Sequence, residues 1–128
     1  MATTALKAAL DEAKKFKLKI TIAIVDSGGH LVSFVRMDDS PIGSIDVSIK
    51  KAKTSAFFKA PSGEIGKLSQ PGRSIYGIEN TNGGLITFPG GLPILDNYEK
   101  LIGAIGVSGS SVANDEKIAQ AGRNSIYD

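Results

Sequence analysis

Residues 100–122 read KLIGAIGVSGSSVANDEKIAQAG and join a short apolar run to regularly spaced glycines and a helix start. The run at residues 101–107 is typical of a strand covered on both faces. Gly103 and Gly106 interrupt this run and Gly109 follows it, at positions where a side chain would block close backbone approach or a sharp exit. Ser110 and Ser111 then offer hydroxyls for a helix N-cap. The stretch therefore predicts a strand, a tight glycine loop and the beginning of a helix.

The glycine loop has two interpretations. Backbone amides at a helix N-terminus are a natural site for an anion. The spacing is G-x-x-G-x-x-G, however, which differs from the dinucleotide pattern G-x-G-x-x-G, and no G-K-[ST] ending marks a phosphate loop. Motif rules therefore favour close packing at a strand-to-helix corner over phosphate binding.

Two β-rich runs lie nearer the N-terminus, ITIAIV at residues 20–25 and LVSFVRM at residues 31–37. Turn residues at 26–30, DSGGH, separate these runs and predict an antiparallel hairpin. Residues 85–88 (LITF) and 92–95 (LPIL) have the composition of two more short strands. Together with the run that opens the glycine-rich stretch, these segments predict five mostly antiparallel strands.

Two further helices are predicted before the glycine-rich stretch. The first begins at Thr3 or Thr4 and repeats apolar residues at helical spacing as far as Phe16. The second begins with Ser44 as its cap, and its expected buried stripe is Ile45, Ile49, Ala52 and Ala56. The opposite face carries Lys50, Lys51, Lys53 and Lys59. This basic face indicates solvated surface or, alternatively, steering of an anionic ligand. Without a regular alternation of strands and helices, the fold class is an α+β sandwich rather than a doubly wound sheet.

Composition limits the possible functions. A chain of 128 residues predicts one domain, residues 1–128, with a real core. A formal charge of +2 is too small to imply a nucleic-acid partner, and the absence of cysteine excludes disulfides, thiolate metal sites and cysteine nucleophiles. No segment has the pattern of a signal peptide or the length of a membrane span, so we expect a cytoplasmic protein without membrane contact.

The residues show no recognisable catalytic motif. There is no metalloprotease helix, no G-x-S-x-G elbow and no second histidine for a triad. Ser108 would need a positioned base, and His30 is the only imidazole in the chain. Catalytic residues therefore stay unassigned, and the sequence favours a binding protein over an enzyme.

His30 stands where the first hairpin re-enters the sheet. In one interpretation it is a solvated turn residue or is bonded to nearby backbone. In the other it is the axial ligand of a haem or corrinoid metal, which needs only one imidazole at the rim of a pocket. The residues alone leave both interpretations open.

Four segments together resemble the GlcG/HbpS-like family, which includes the C-terminal domain of PduO proteins. They are VDSGGHLVSFVRMDDSPIGSIDVSIKKAKTSAFF (25–58), QPGRSIYGI (70–78), GGLPI (90–94) and GAIGVSGSSVANDEKIAQAG (103–122). The resemblance extends from about residue 20 to residue 122, and the order and spacing of the segments make it specific. It implies a profilin-like α-β-α sandwich and a symmetric homo-oligomer, a dimer or higher. It also implies a place beside diol, glycerol or glycolate metabolism.

The resemblance also implies a ligand, because some members of the family bind haem and one is attached to a corrinoid adenosyltransferase domain. It places the cofactor at His30, as the only metal-ligating residue, and in a pocket lined by Phe34, Arg36 and the Ser108–Gly109–Ser110 loop. We expect that pocket to be a single cleft in which the glycine corner faces His30. Haem is the first ligand to test and corrinoid the second. The chain lacks a transferase domain, so adenosylation is not implied.

Three hypotheses remain in competition. The first is a haem- or corrinoid-binding accessory protein. The second is an enzyme or binding protein for a small-molecule metabolite. The third is a structural subunit, suggested by Phe57, Phe58 and the apolar runs at residues 85–88 and 92–95, which a core of this size does not easily hide.

Overall fold

The computed structural model describes residues 1–127. The elements follow in the order α1 (Ala2–Lys15), β1 (Thr21–Val25), β2 (Leu31–Arg36), α2 (Ser44–Phe58), α3 (Ser62–Leu68), a 3-10 turn (Ile78–Asn80), β3 (Gly91–Leu95), β4 (Leu101–Ser108) and α4 (Val112–Tyr127). The α+β class expected from the sequence is confirmed.

The sheet has the strand order β2-β1-β4-β3, and every neighbouring pair is antiparallel. It consists of two hairpins, β1–β2 and β3–β4, joined through the two central strands. Val25, at the end of β1, pairs with Ala104, near the beginning of β4. The tips of both hairpins therefore lie at the same end of the sheet, which we call the hairpin end.

The expectation of five strands is wrong, because residues 85–88 do not join the sheet. Leu85 is buried, but the Ile86 amide donates to Thr54 Oγ1 on α2 at 3.1 Å instead of to a strand. The segment is a loop in which the Leu85 side chain is buried and the Ile86 amide is satisfied by a helix side chain.

Helices cover both faces of the sheet and make three layers. α1 and α4 lie on one face, where Ala5, Ala9 and Ala13 of α1 are fully buried in the larger hydrophobic cluster. α2 lies on the other face against a smaller cluster that includes Ala23 and Ala52. The small side chains let the helices approach the strands closely.

The glycines of β4 make that close approach possible. A Cβ on Gly106 would lie 2.6 Å from the Ala52 amide nitrogen, in the backbone of α2. Gly109 has φ +126° and leads the chain out of the sheet. Ser111 then caps α4, because its Oγ accepts the Asn114 amide at 3.1 Å. The packing interpretation of the glycine corner and the predicted cap are both confirmed.

The prediction for α2 is wrong both at its N-terminal cap and on its buried face. Ser44 does not cap the helix with its side chain, because its Oγ is bonded to Thr21 Oγ1 at 2.7 Å. The buried face is small and polar, and Lys51, expected on the solvated face, is fully buried. Ile45 and Ile49, expected in the core, are only partly buried.

Candidate functional site

His30 lies at an exposed hairpin tip, in the turn between β1 and β2. The Asp26 carboxylate organises this turn, because its Oδ1 accepts the amides of Gly28 and His30, each at 2.9 Å. The same oxygen lies 3.2 Å from His30 Nδ1. The His30 side chain is otherwise 82 % exposed. The imidazole is therefore held at one nitrogen and open to solvent at the other.

The charge of Asp26 decides which nitrogen is free. The hydrogen bond from the His30 amide lowers the pKa of Asp26 below its ordinary value, and the Gly28 amide adds to that effect. An ionised carboxylate only accepts hydrogen bonds, so in the neutral imidazole bonded to it Nδ1 is the donor and Nε2 carries the lone pair. A histidine that donates its second N–H to a carboxylate is the usual arrangement for an imidazole that binds a metal.

The β3–β4 turn repeats this geometry beside the first one. Asp96 Oδ1 accepts the amides of Tyr98 at 2.8 Å and Lys100 at 2.9 Å. These bonds lower the pKa of Asp96, with a smaller contribution from the positive charge of Lys59. Tyr98 is 91 % exposed at this second tip. The two tips therefore present His30 and Tyr98 at the same end of the sheet.

The C-terminus of α2 reaches both hairpin tips. A Cβ on Gly29 would lie 2.5 Å from Phe57 Cε1, so the Phe57 ring packs directly against the turn that carries His30. Phe57 and Leu31 nevertheless remain substantially exposed. Lys59, just beyond the helix, acts on Asp96 in the other turn. The hairpin end therefore combines one imidazole, exposed apolar side chains and a cation, although the sequence did not single out Phe57 as a neighbour of His30.

Phe34 and Arg36 lie elsewhere on β2. Phe34 pairs with Ala23 and packs partly buried against the cluster beneath α2. Arg36 pairs with Thr21, at the opposite end of β1 from the hairpin tips. Its guanidinium donates from Nη2 to the Ser40 carbonyl at 2.9 Å and from Nε to Ser40 Oγ at 3.2 Å.

The Ser108–Gly109–Ser110 loop lies at the same end as Arg36, because Ser108 also pairs with Thr21. The amide and the hydroxyl of Ser110 are bonded within the chain. The Ser110 amide donates to Asp115 Oδ1 at 3.0 Å, and Ser110 Oγ accepts from Asn114 Nδ2 at 3.0 Å. These hydrogen bonds hold the loop against the first turn of α4.

The structure brings Arg36 and Ser108 together but separates both from His30. Four residue steps along β1 divide Thr21 from Val25, which is about 13 Å at ordinary strand rise, and the His30 turn lies beyond Val25. Within residues 1–127 of one chain, the single cleft expected between His30 and the glycine corner is therefore not formed. Sequence spacing showed that each residue borders a turn, but not at which end of the sheet that turn lies.

Lys51 forms a buried ion pair that the sequence did not predict. Its Nζ lies 3.1 Å from Asp115 Oδ2 and donates to the Val107 carbonyl at 2.8 Å, and the exposed fractions of the Lys51 and Asp115 side chains are 0 % and 3 %. The Phe88 ring covers Nζ at 5.0 Å from the ring centre. Burial lowers the pKa of Lys51 and raises that of Asp115. One signal was available, because Lys51 follows Ser44 and Ser48 at helical spacing on the small-residue face.

Neither a metal-ion cluster nor a membrane-spanning helix is found among residues 1–127. Among residues 1–127, no three His, Asp or Glu side chains lie close enough together to hold a metal ion. In the same part of the chain, no helix combines the length and the apolar character needed to cross a bilayer.

Comparison with known proteins identifies a family that matches this chain. A family model described as "haem degrading protein HbpS-like" matches residues 1–124. An uncharacterised 15.0 kDa protein from the dhaT–dhaS intergenic region of Citrobacter freundii is 39 % identical over 112 residues, which are 85 % of this chain and 78 % of that protein.

Part of a larger protein is also similar. The corrinoid adenosyltransferase PduO of Salmonella typhimurium is 35 % identical over 115 residues, 89 % of this chain, and this chain spans only 34 % of the length of PduO. A crystal structure of a PduOC–haem complex superimposes with a TM-score of 0.93 at 32 % identity and covers 98 % of this chain and 91 % of that one. This chain therefore belongs to the HbpS-like family.

Proposed function

We propose that this chain is a haem-binding accessory protein in which His30 is the axial ligand of the iron. The observation that carries the proposal is the exposed His30 imidazole, whose Nδ1 is held by Asp26 and whose Nε2 is free. The similarity to the PduOC–haem complex supports haem as the ligand. A corrinoid is the second candidate, because the same nitrogen suits its metal.

The surroundings of His30 fit a tetrapyrrole. Phe57 and Leu31 offer exposed apolar surface for the macrocycle, and Lys59 offers a positive charge for a propionate. When bound, haem supplies an iron centre. The protein supplies the ligand nitrogen, and the Asp26 carboxylate fixes the ring orientation and makes the imidazole a stronger donor. The proposal covers binding and not adenosyl transfer.

We also propose that the protein self-associates and works beside diol, glycerol or glycolate metabolism, as the family resemblance implies. Exposed Leu31, Val32, Phe57 and Tyr98 near the hairpin end favour contact with a second copy. Phe34 remains a proposed haem neighbour through its position on β2. Arg36 and the Ser108–Ser110 loop reach haem at His30 only through a second copy, since they lie at the opposite end of their own sheet.

Titration with hemin tests the proposal. We expect the full chain to give a saturable Soret band, and His30→Ala to bind at least about tenfold more weakly because the iron loses its protein ligand. Ser27→Ala, in the same turn, is the matched control and should bind like the wild type. Free imidazole should restore the Soret position of His30→Ala. Equal spectra and affinity for wild type and His30→Ala would refute His30 as the ligand. Light scattering with and without hemin tests self-association, and a monomer in both states would refute it.

A further inference from the structure

A cleft lies between the C-terminal half of α1 and the end of β2, away from the hairpin end. Its volume is about 530 Å³, within the range of small-molecule sites. Leu10 and Leu18 on one side and Val35 and Met37 on the other line its floor and pack against the larger core cluster. The floor is therefore apolar and supported from below.

Cations surround this floor. The lining includes Lys14, Lys17, Lys19 and Arg36, against a single lining carboxylate, Asp38. Such an excess of one charge beside an apolar floor attracts an anion that carries an apolar body.

Most of these cations lack a carboxylate partner. Lys19 lies 3.3 Å from Asp39, and both side chains are exposed. Within residues 1–127, Lys14, Lys17 and Arg36 have no carboxylate within 4.0 Å. Arg36 differs from the lysines, because it pairs with Thr21 on the α2 side of the sheet and its guanidinium donates to Ser40 there. The positive charge of the cleft is therefore available to a ligand.

The backbone conformation of Lys17 is a second, independent observation that favours a ligand site in this cleft. It has φ +57°, a left-handed conformation in which glycine is the usual residue at the end of a helix. The Lys17 amide donates to the Lys14 carbonyl at 3.1 Å, and the next amide, of Leu18, donates to the Ala13 carbonyl at 2.9 Å, so the conformation is that of an ordinary helix end. A lysine at this position costs stability that a glycine would not. Its side chain lines the cleft, which gives a functional reason for that cost.

We propose that this cleft binds a small organic carboxylate with an apolar body. The body lies on the floor made by Leu10, Leu18, Val35 and Met37. The carboxylate is held at the rim by Lys14 and Lys17, because an ammonium gives charge-assisted hydrogen bonds to carboxylate oxygens. This site is separate from His30 and does not depend on haem binding.

Isothermal titration of the full chain with octanoate tests the proposal, with 1-octanol as the uncharged analogue. We expect octanoate to bind and 1-octanol to bind at least about tenfold more weakly, because one charge-assisted contact is worth about that ratio. Lys14→Gln and Lys17→Gly should each weaken octanoate binding about tenfold. Lys67→Gln removes one exposed positive charge on α3, outside the cleft, and should leave binding unchanged.

Lys17→Gly separates a binding role from a structural one. We expect this variant to melt at a higher temperature than the wild type while binding octanoate more weakly. Equal affinity of wild type, Lys17→Gly and Lys14→Gln would overturn the proposal, as would equal binding of octanoate and 1-octanol or no binding of octanoate at all.

The haem proposal fails or succeeds independently of this one. Octanoate binding should persist in His30→Ala, whether or not that variant still binds hemin. Hemin that remains bound to His30→Ala and is displaced by octanoate would make this cleft the haem pocket and would overturn the inference of a separate carboxylate site.

Discussion

Replacing Lys51 by methionine removes the buried ammonium but keeps an unbranched side chain of similar length. The carboxylate of Asp115 then remains at the beginning of α4 without its counter-ion, and its side chain is only 3 % exposed. The Val107 carbonyl also loses a charged donor at 2.8 Å. The change therefore leaves one buried charge and one buried acceptor without their partner.

The expected loss is large for a protein of this size. Removing one member of a buried ion pair costs about 3–5 kcal/mol, because the remaining charge stays desolvated. Domains unfold with about 5–15 kcal/mol in total. In Lys51→Met/Asp115→Asn the neutral amide is much cheaper to bury, and its oxygen still accepts the Ser110 amide, so we expect the double variant to recover at least about 1 kcal/mol.

The deficit of Lys51→Met should depend on pH. Burial already raises the pKa of Asp115 above its ordinary value, with the Lys51 charge opposing that shift. Without Lys51 the folded-state pKa rises further, while the unfolded pKa stays ordinary. The folded state then binds a proton more readily than the unfolded state, so the penalty is fully present above the folded-state pKa and is relieved as pH falls through it. We expect a smaller deficit at about pH 5 than at about pH 7.

Urea denaturation followed by circular dichroism measures these differences, provided that the m-values of the variants agree. Lys67→Met is the matched control, because Lys67 forms an exposed pair with Glu64 at 3.1 Å and exposed pairs contribute little. Equal midpoints for Lys51→Met and Lys67→Met would refute the reasoning. A deficit in Lys51→Met that is the same at both pH values would refute the role assigned to Asp115.

Three further changes have distinct expected outcomes. Gly106→Ala should destabilise the fold by about 3 kcal/mol or prevent folding, because the new Cβ meets the backbone of α2. The control is Gly43→Ala, whose new Cβ meets open space, and this variant should unfold in urea like the wild type. Ser55→Ala should raise the melting temperature, since Ser55 Oγ is buried without a hydrogen-bond partner among residues 1–127, and a lower melting temperature would contradict this. Asp26→Asn should weaken hemin binding with the His30 ligand still present, and unchanged affinity in the hemin titration would exclude a positioning role for Asp26.

Local patterns predicted the elements well where the physics is local. The turn at residues 26–30 formed the expected hairpin because Asp26 and the glycines make its hydrogen bonds within five residues. The cap at Ser111 was predictable for the same reason, since its partner is the Asn114 amide three residues later. Residues 85–88 had strand composition but did not join the sheet, because composition cannot show that a helix hydroxyl satisfies the backbone.

The candidate sites were less predictable than the fold. His30 and Arg36 were both identified from the sequence, but they belong to opposite ends of the sheet. The α1–β2 cleft places Lys14 and Lys17 beside Val35 and Met37, which lie about twenty residues further along the chain. No periodic pattern joins these residues, since they meet only because the chain leaves α1 and returns along β2.

The amino-acid sequence by itself determined the first hairpin, the glycine corner, the capped start of the last helix and the family. Each depends on neighbours a few residues apart or on a pattern read along the chain. Only the tertiary structure decided that Lys51 is buried, because its partners Val107 and Asp115 lie 56 and 64 residues away. It also decided which turns share an end of the sheet, since strand pairing, and not spacing along the chain, brings such residues together.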